Sequence, residues 1–354
     1  MATTQAGTGR EDRAESGLAA MSPAYFGLVM ATGIVSLAAD MMGHRLLARA
    51  LFGLNLGQYG LLWLLYGLRA WRHPRRFFGD MAAHATGPGY FTAVAATGIV
   101  ACQFMVLRED VAAAQALWLL AVVLWFGLTY AVFAAFIVRP DKPPLDKGIN
   151  GSWLLAVVAT QALSVSSALL AARIGQPHRL ELNLFALSTW LWGGMLYIWM
   201  MALIFYRYVF FRFSPGDLAP PYWINMGAMA ISTLAGALLI LNAPQAPFLA
   251  ALLPFLKGFT VFYWATGTWW IPMLALLAAW RYGYERFPLR YDPLYWGAVF
   301  PLGMYAASTL ELDRAMEFGL LGGLAQAFFY VALVAWTAAF AGMLRALVRG
   351  VRER

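Results

Sequence analysis

Polar positions in this chain fall in clusters, and between them apolar runs of nearly constant length recur from end to end. A charge-poor run of about 20 residues crosses ~30 Å of hydrocarbon as a helix, which satisfies its own backbone N–H and C=O groups where water is absent. The pattern predicts ten such helices, over 17–39, 47–68, 86–107, 111–138, 149–172, 182–206, 221–243, 258–280, 293–310 and 318–344. Val111–Val138 carries no charged residue along its whole length and spans even when tilted. The loops are short, with proline and glycine in the longer ones (Arg139–Gly148, Ser214–Pro220), and none is large enough to hold a soluble domain.

Two of these runs repeat one another. Pro23–Val35 reads PAYFGLVMATGIV and Pro88–Val100 reads PGYFTAVAATGIV, nine identical positions of thirteen at an offset of 65. Weaker echoes open the fifth run (Trp153, then Ala159-Thr160-Gln161), the seventh (Pro221-Tyr222-Trp223, then Gly227-Ala228) and the ninth (Pro293, then Tyr295-Trp296-Gly297). In that register Phe300 matches Met30 and Gly303 matches Gly33. The unit is a pair of helices, used five times. The odd members are rich in Gly, Ala, Ser and Thr, which let backbones approach closely. The even members carry bulky rings (Trp118, Trp125, Trp190, Trp192, Trp269, Trp270, Trp336) suited to lipid. The expected fold is an all-α integral membrane protein: ten transmembrane helices as five helical hairpin repeats, the odd ones an inner ring around a central pore and the even ones an outer ring. A plain bundle in which small residues only mediate packing is the alternative.

Composition agrees. Of 354 residues, 62% are hydrophobic and 12% charged, with mean hydropathy +0.64, about half the charge of a soluble domain. The segments on one side of the predicted membrane hold 18 of the 25 Lys and Arg, those on the other side 7. The positive-inside rule then puts both termini in the cytoplasm of a multi-pass protein of the cell inner (plasma) membrane. The net charge of +8 is on this reading topogenic, and no folded basic domain for nucleic acid is expected. Residues 1–16 read as a disordered cytoplasmic tail, 17–347 as the ten-helix domain and 348–354 as a basic cytoplasmic tail. The first apolar run belongs to the repeat, so it is not a removable signal peptide.

Candidate chemistry is sparse. Cys102 is the only cysteine, and His44, His73, His84 and His178 lie in predicted loops without a second ligand at metal spacing. No catalytic residue, metal or cofactor is expected, and an enzyme or a non-transporting scaffold is the weaker reading. Ser164, Ser166 and Ser167 lack a base and read as packing hydroxyls. Gln161 and Asn225 fit interhelical hydrogen bonds equally well as a path. Without an ionisable group at mid-membrane, an anion would be held by hydroxyls, backbone N–H groups at loosened helices and helix ends. Such a site suits conduction, and it favours the monoanion of a C4 diacid over the dianion, so transport of one should fall above neutral pH. The candidate lining is Met30, Thr32, Gly33, Ala95, Thr97, Gly98, Val157, Thr160, Gly227, Ala228, Pro301 and Gly303. Threonine in a helix also bonds its own i−4 carbonyl, which is the commoner fate. Phe300, beside Pro301 and Gly303 where the helix is weakened, reads as a plug or as an ordinary packed aromatic.

PAYFGLVMATGIVSLA, KGFTVFYWATGTWWIPMLALLAAW and YWGAVFPLGMYAAST resemble the tellurite-resistance/C4-dicarboxylate transporter family, which includes malate permeases, sulfite exporters and plant slow-type anion channels. The resemblance runs from Ser22 to Arg345, and its most specific part is the W-x-x-x-F-P segment ending at Pro301. It implies ten helices as five hairpins, a pore in each subunit of a homotrimer, and occlusion by the ninth-helix phenylalanine, here Phe300. It implies transport of small inorganic or carboxylate anions, with a proton-linked malate or sulfite carrier as the alternative. The sequence departs from many relatives in having proline at this level only in the ninth span.

Overall fold

The computed structural model describes residues 17–289 and 291–352, and among them the chain is helical with no strand. The region 1–16, read as a tail, lies outside the described residues. Ten long helices follow in order: α1 Gly27–Met41, α2 Arg45–Arg72, α3 Phe91–Gln103, α4 Val111–Val138, α5 Leu155–Ala171, α6 His178–Phe210, α7 Ile224–Asn242, α8 Leu253–Ala278, α9 Trp296–Met316 and α10 Gly322–Arg352. Helix α10 continues to Arg352, into the segment read as a basic tail. Eight of the ten, with their end turns, are long and apolar enough to cross a membrane. The other two are α2 and α9. Both are long, but α2 carries Arg45, Arg49, Asn55, Gln58, Arg69 and Arg72, and α9 continues past the expected edge at 310 into Glu311, Asp313 and Arg314.

Each odd helix begins with a tight single turn: Pro23–Phe26, Gly87–Tyr90, Gly151–Leu154, Pro220–Trp223 and Pro293–Tyr295. Three turns are capped alike, by side-chain oxygens of Ser22, Asn150 and Asp292 that accept from the N–H two residues on. These turns touch in cyclic order, the fifth reaching the first, and the odd helices behind them do the same: α1–α3–α5–α7–α9–α1. Each even helix packs mainly on the odd helix before it. It also reaches the next odd helix through at least one polar aromatic group. Tyr59 meets Thr97 at 2.9 Å, Trp125 donates to Thr160 at 2.8 Å, Trp190 to the Ser232 carbonyl at 2.9 Å, Trp264 to Thr309 at 3.1 Å and Trp336 to Thr32 at 3.0 Å. Such bonds fix the rotation of each inner helix.

Burial follows the same division. Every residue of α3 is buried, and all of α7 but Leu241, whereas α4 buries only Ala114, Ala121, Val132 and Phe136. The tryptophans of the even helices divide. Trp192 and Trp269 are exposed as expected, but Trp125, Trp190 and Trp336 turn inward to the bonds above, Trp118 donates to Ser167 and Trp270 to Tyr197. An indole N–H facing hydrocarbon would have no partner, and an inner hydroxyl or carbonyl supplies one.

Candidate functional site

The odd helices present one face, at spacings of three and four residues, to a common interior. At the end where they begin, a recess of about 210 Å³ is rimmed by the five tight turns, with Ser22, Thr86, Asn150, Ser152 and Asp217 among its polar residues. Behind it the space narrows to about 20 Å³, room for about one water. Gly27 and Met30 of α1, Thr92 of α3, Leu155 of α5, Ile224 of α7 and Gly297 and Phe300 of α9 line that neck. From the other end, a cavity of about 310 Å³ reaches in between the same helices, lined one turn further along α1 and α9 by Ile34 and Met304, and about two turns further along α3, α5 and α7 by Gly98 and Ile99, Ala162 and Ile231. The two spaces share no lining residue. Phe300, 1% exposed, lines the neck and not the larger cavity.

The helix around Phe300 is held by close backbone approach. Proline at 301 has no N–H, so the carbonyl of Gly297, which lines the neck, loses its i+4 donor. The pyrrolidine ring packs on α7, where a Cβ at Gly227 would lie 2.6 Å from Pro301 Cγ. On the other flank a Cβ at Gly303 would lie 3.0 Å from Ile34 of α1.

The expected lining residues are all buried, and they divide by direction. Met30 and Phe300, matched by the repeat register, both reach the neck, and Gly98 reaches the larger cavity. Ala95 and Ala228 lie on the lined faces, one turn beyond Thr92 and Ile224. Thr32, Thr97 and Thr160 line neither space. They accept from Trp336, meet Tyr59 and accept from Trp125 on the outer helices, and Thr97 and Thr160 also bond their own i−4 carbonyls. Gly33, Gly227, Pro301 and Gly303 serve helix contacts, Gly33 facing Ile99, Asn55 and Gln103. Val157 falls two residues past Leu155, off the lined face. Gln161 donates to the Trp190 carbonyl at 3.0 Å and Asn225 to Tyr208 at 3.0 Å, both between helices.

Charge enters where the sequence reading had none. The larger cavity reaches Asp40, Glu311 and Arg314, with Glu311 and Arg314 paired at 3.0 Å. These residues follow the interior face: 297, 300, 304, 307, 311 and 314 keep one helical stripe. Steps of three and four from Phe300 reach Glu311 and Arg314, while Asp40 stands on α1. At the opposite rim, Arg207 donates to the Ile149 carbonyl, the Tyr222 hydroxyl and Asp217. Hydrogen bonds from Ser214, and then Arg207, hold the Asp217 carboxyl below the usual aspartate range. Among the described residues no cluster of His, Cys, Asp and Glu could hold a metal.

The model of a family described as SLAC1, voltage-dependent anion channel, matches residues 20–344. Two uncharacterized transporters of Methanocaldococcus jannaschii are 22% identical over 320 residues (88% of this chain, 90% of theirs) and 23% identical over 322 residues (89% and 90%). An uncharacterized membrane protein of Mycobacterium tuberculosis is 38% identical over 152 residues, 43% of this chain and 77% of its own.

Proposed function

The chain belongs to the voltage-dependent anion channel family, and from that premise we propose that it is a membrane transport protein passing small anions through the interior of the odd-helix ring, with Phe300 as the occluding side chain. The observation that supports this reading is a pair of unjoined cavities between the same helices, Phe300 lining the neck and Met304, one turn on along α9, lining the larger cavity. On this reading all ten helices span the bilayer as five hairpins, α2 and α9 included. The cyclic contacts of the turns and of the odd helices support that arrangement. A polar stretch on α2 or α9 is tolerated at membrane depth because it faces protein. Both termini are assigned to the cytoplasm of the inner membrane by the distribution of Lys and Arg, and a homotrimer with one path per subunit is the assembly proposed.

The neck supplies no cation. Around it stand Thr92, Ser152, Gly297 with its freed carbonyl and apolar groups, so an anion would cross partly dehydrated and weakly held. A benzyl group in that space excludes water as well as ions. Removing it should open the path: anion flux into liposomes through Phe300→Ala should exceed wild type by about tenfold or more. Equal or lower flux from a well-folded variant would remove the plug.

A second reading, a proton-linked carrier of C4-dicarboxylates or sulfite, is favoured by Asp40 and Glu311 in the larger cavity, since titratable groups in a transport path serve coupling. Currents across planar bilayers support the channel reading, and saturable uptake driven by a pH gradient supports the carrier.

A further inference from the structure

Among the described residues three arginines are buried, Arg69, Arg207 and Arg281, each at the end of an even helix and beside the tyrosine that opens the next odd helix. Two corners are built alike. Arg69 donates to the Tyr90 hydroxyl and pairs with Asp80, and Arg207 donates to the Tyr222 hydroxyl at 2.8 Å and pairs with Asp217 at 3.1 Å. In each the guanidinium has a tyrosine oxygen and a carboxylate.

The third corner departs from this plan. Arg281 is 6% exposed, yet among the described residues it has no ion pair, and its Nη1 has no acceptor, whereas at the other two corners only Nε lacks one. It sits on a wider, π-type turn, Ala279–Tyr284, at the end of α8. The tyrosine of this corner, Tyr295, is engaged elsewhere, its hydroxyl 2.9 Å from that of Tyr282. Of the carboxylates nearby in sequence, Glu285 is exposed and Asp292 accepts from the Leu294 N–H at 2.8 Å, capping the turn before α9. What Arg281 does meet is aromatic: the Phe287 ring at 4.2 Å and the Tyr282 ring at 5.2 Å. Ring faces attract a guanidinium, but they accept none of its directed N–H bonds. Beside it lies a cavity of about 200 Å³ between α7, α8 and α9, lined also by Leu218, Trp223, Leu274, Tyr295 and Leu302.

We propose that this cavity binds an oxyanion of phosphate chemistry, which occupies at Arg281 the place that Asp80 and Asp217 hold at the other corners. A buried guanidinium is the group best matched to such a head, and Arg281, which lines the cavity, has no carboxylate or hydroxyl partner among the described residues. The volume exceeds what one carboxylate needs, and the apolar lining beside the charge suits a head that brings a chain with it. The chemistry is shared by the phosphodiester of an anionic lipid and by inorganic phosphate, and basic pockets between membrane helices take both. Ala298 and Leu302 place the occupant against the same helix that carries Phe300.

The test uses the full chain in phosphatidylcholine nanodiscs with and without phosphatidylglycerol, and in detergent titrated with inorganic phosphate. Bound lipid is counted by native mass spectrometry and folding is followed by Tm. Wild type should bind one of the two probes about tenfold more tightly than Arg281→Gln. Discrimination with phosphatidylglycerol alone identifies a lipid headgroup; discrimination with phosphate as well identifies the free ion. Ala298→Asp, which supplies a carboxylate inside the cavity, should lose the probe while keeping or raising Tm. Folded Arg281→Gln binding both probes as wild type does, or folded Ala298→Asp retaining full binding, overturns the site. The readout is binding, so the result stands apart from whether the chain conducts.

Discussion

Helices α4 and α7 are both almost wholly apolar, and they live in opposite surroundings. Of the 28 residues of α4 only a stripe is buried, whereas α7 is enclosed on all sides by α5, α6, α8 and α9. Hydrophobicity therefore separates membrane from water, and says little about inside against outside within the membrane. Side-chain size makes that second distinction. Lipid tails are as apolar as leucine, so large side chains gain nothing by turning inward, while Gly227 and Gly236 allow the backbone approach that builds the interior.

Gly227→Val should break the contrast most strongly. The added methyls fall on the Pro301 ring, and overpacking of about 3 kcal/mol is expected, read as a loss of Tm in detergent. A variant as stable as wild type would show that α7 and α9 do not need their close approach. The next effect tests what ties inner to outer helices at the rim. Asp217→Asn leaves buried Arg207 without its counter-charge and should cost about 1–2 kcal/mol, modest because the carboxylate is partly exposed. The sign with pH follows. The Asp217 pKa is lowered in the fold, so its contribution is complete above the unfolded value near 4 and is lost as pH falls below about 4. The Tm difference between wild type and Asp217→Asn should be constant at pH 6–8 and shrink only in acid. A difference that vanishes near pH 6 contradicts the pairing.

Smaller still, Thr160→Val removes the acceptor of the Trp125 indole and should cost about 0.6 kcal/mol, the usual worth of a bond between membrane helices. Its effect on flux should be slight, because Thr160 lines neither cavity. A large flux change with unchanged Tm would return this threonine to the path. On the exposed face of α4, Leu119→Ala and Val123→Ala should stay within about 0.5 kcal/mol of wild type.

Much of this was legible in the residues. The repeated P-x-Y-F motif aligned Met30 with Phe300, and the structure sets both on one narrow space among the buried, small-residue helices. The threonines were misleading because period alone cannot tell which side of an inner helix faces the axis. Thr32, Thr97 and Thr160 share one register and also one outward direction, set by ring N–H and O–H groups on helices distant in sequence. Asp40 and Glu311 were missed because the ends of the apolar runs were taken as the limits of the interior.

The chain by itself determined that it is helical and that it belongs in a membrane, since both follow from local composition and spacing. Only the tertiary structure decided how each helix is rotated, which faces meet at Phe300, and that Arg281 lacks the carboxylate its counterparts have. Those outcomes rest on single hydrogen bonds and close approaches between residues far apart in sequence, which no local pattern records.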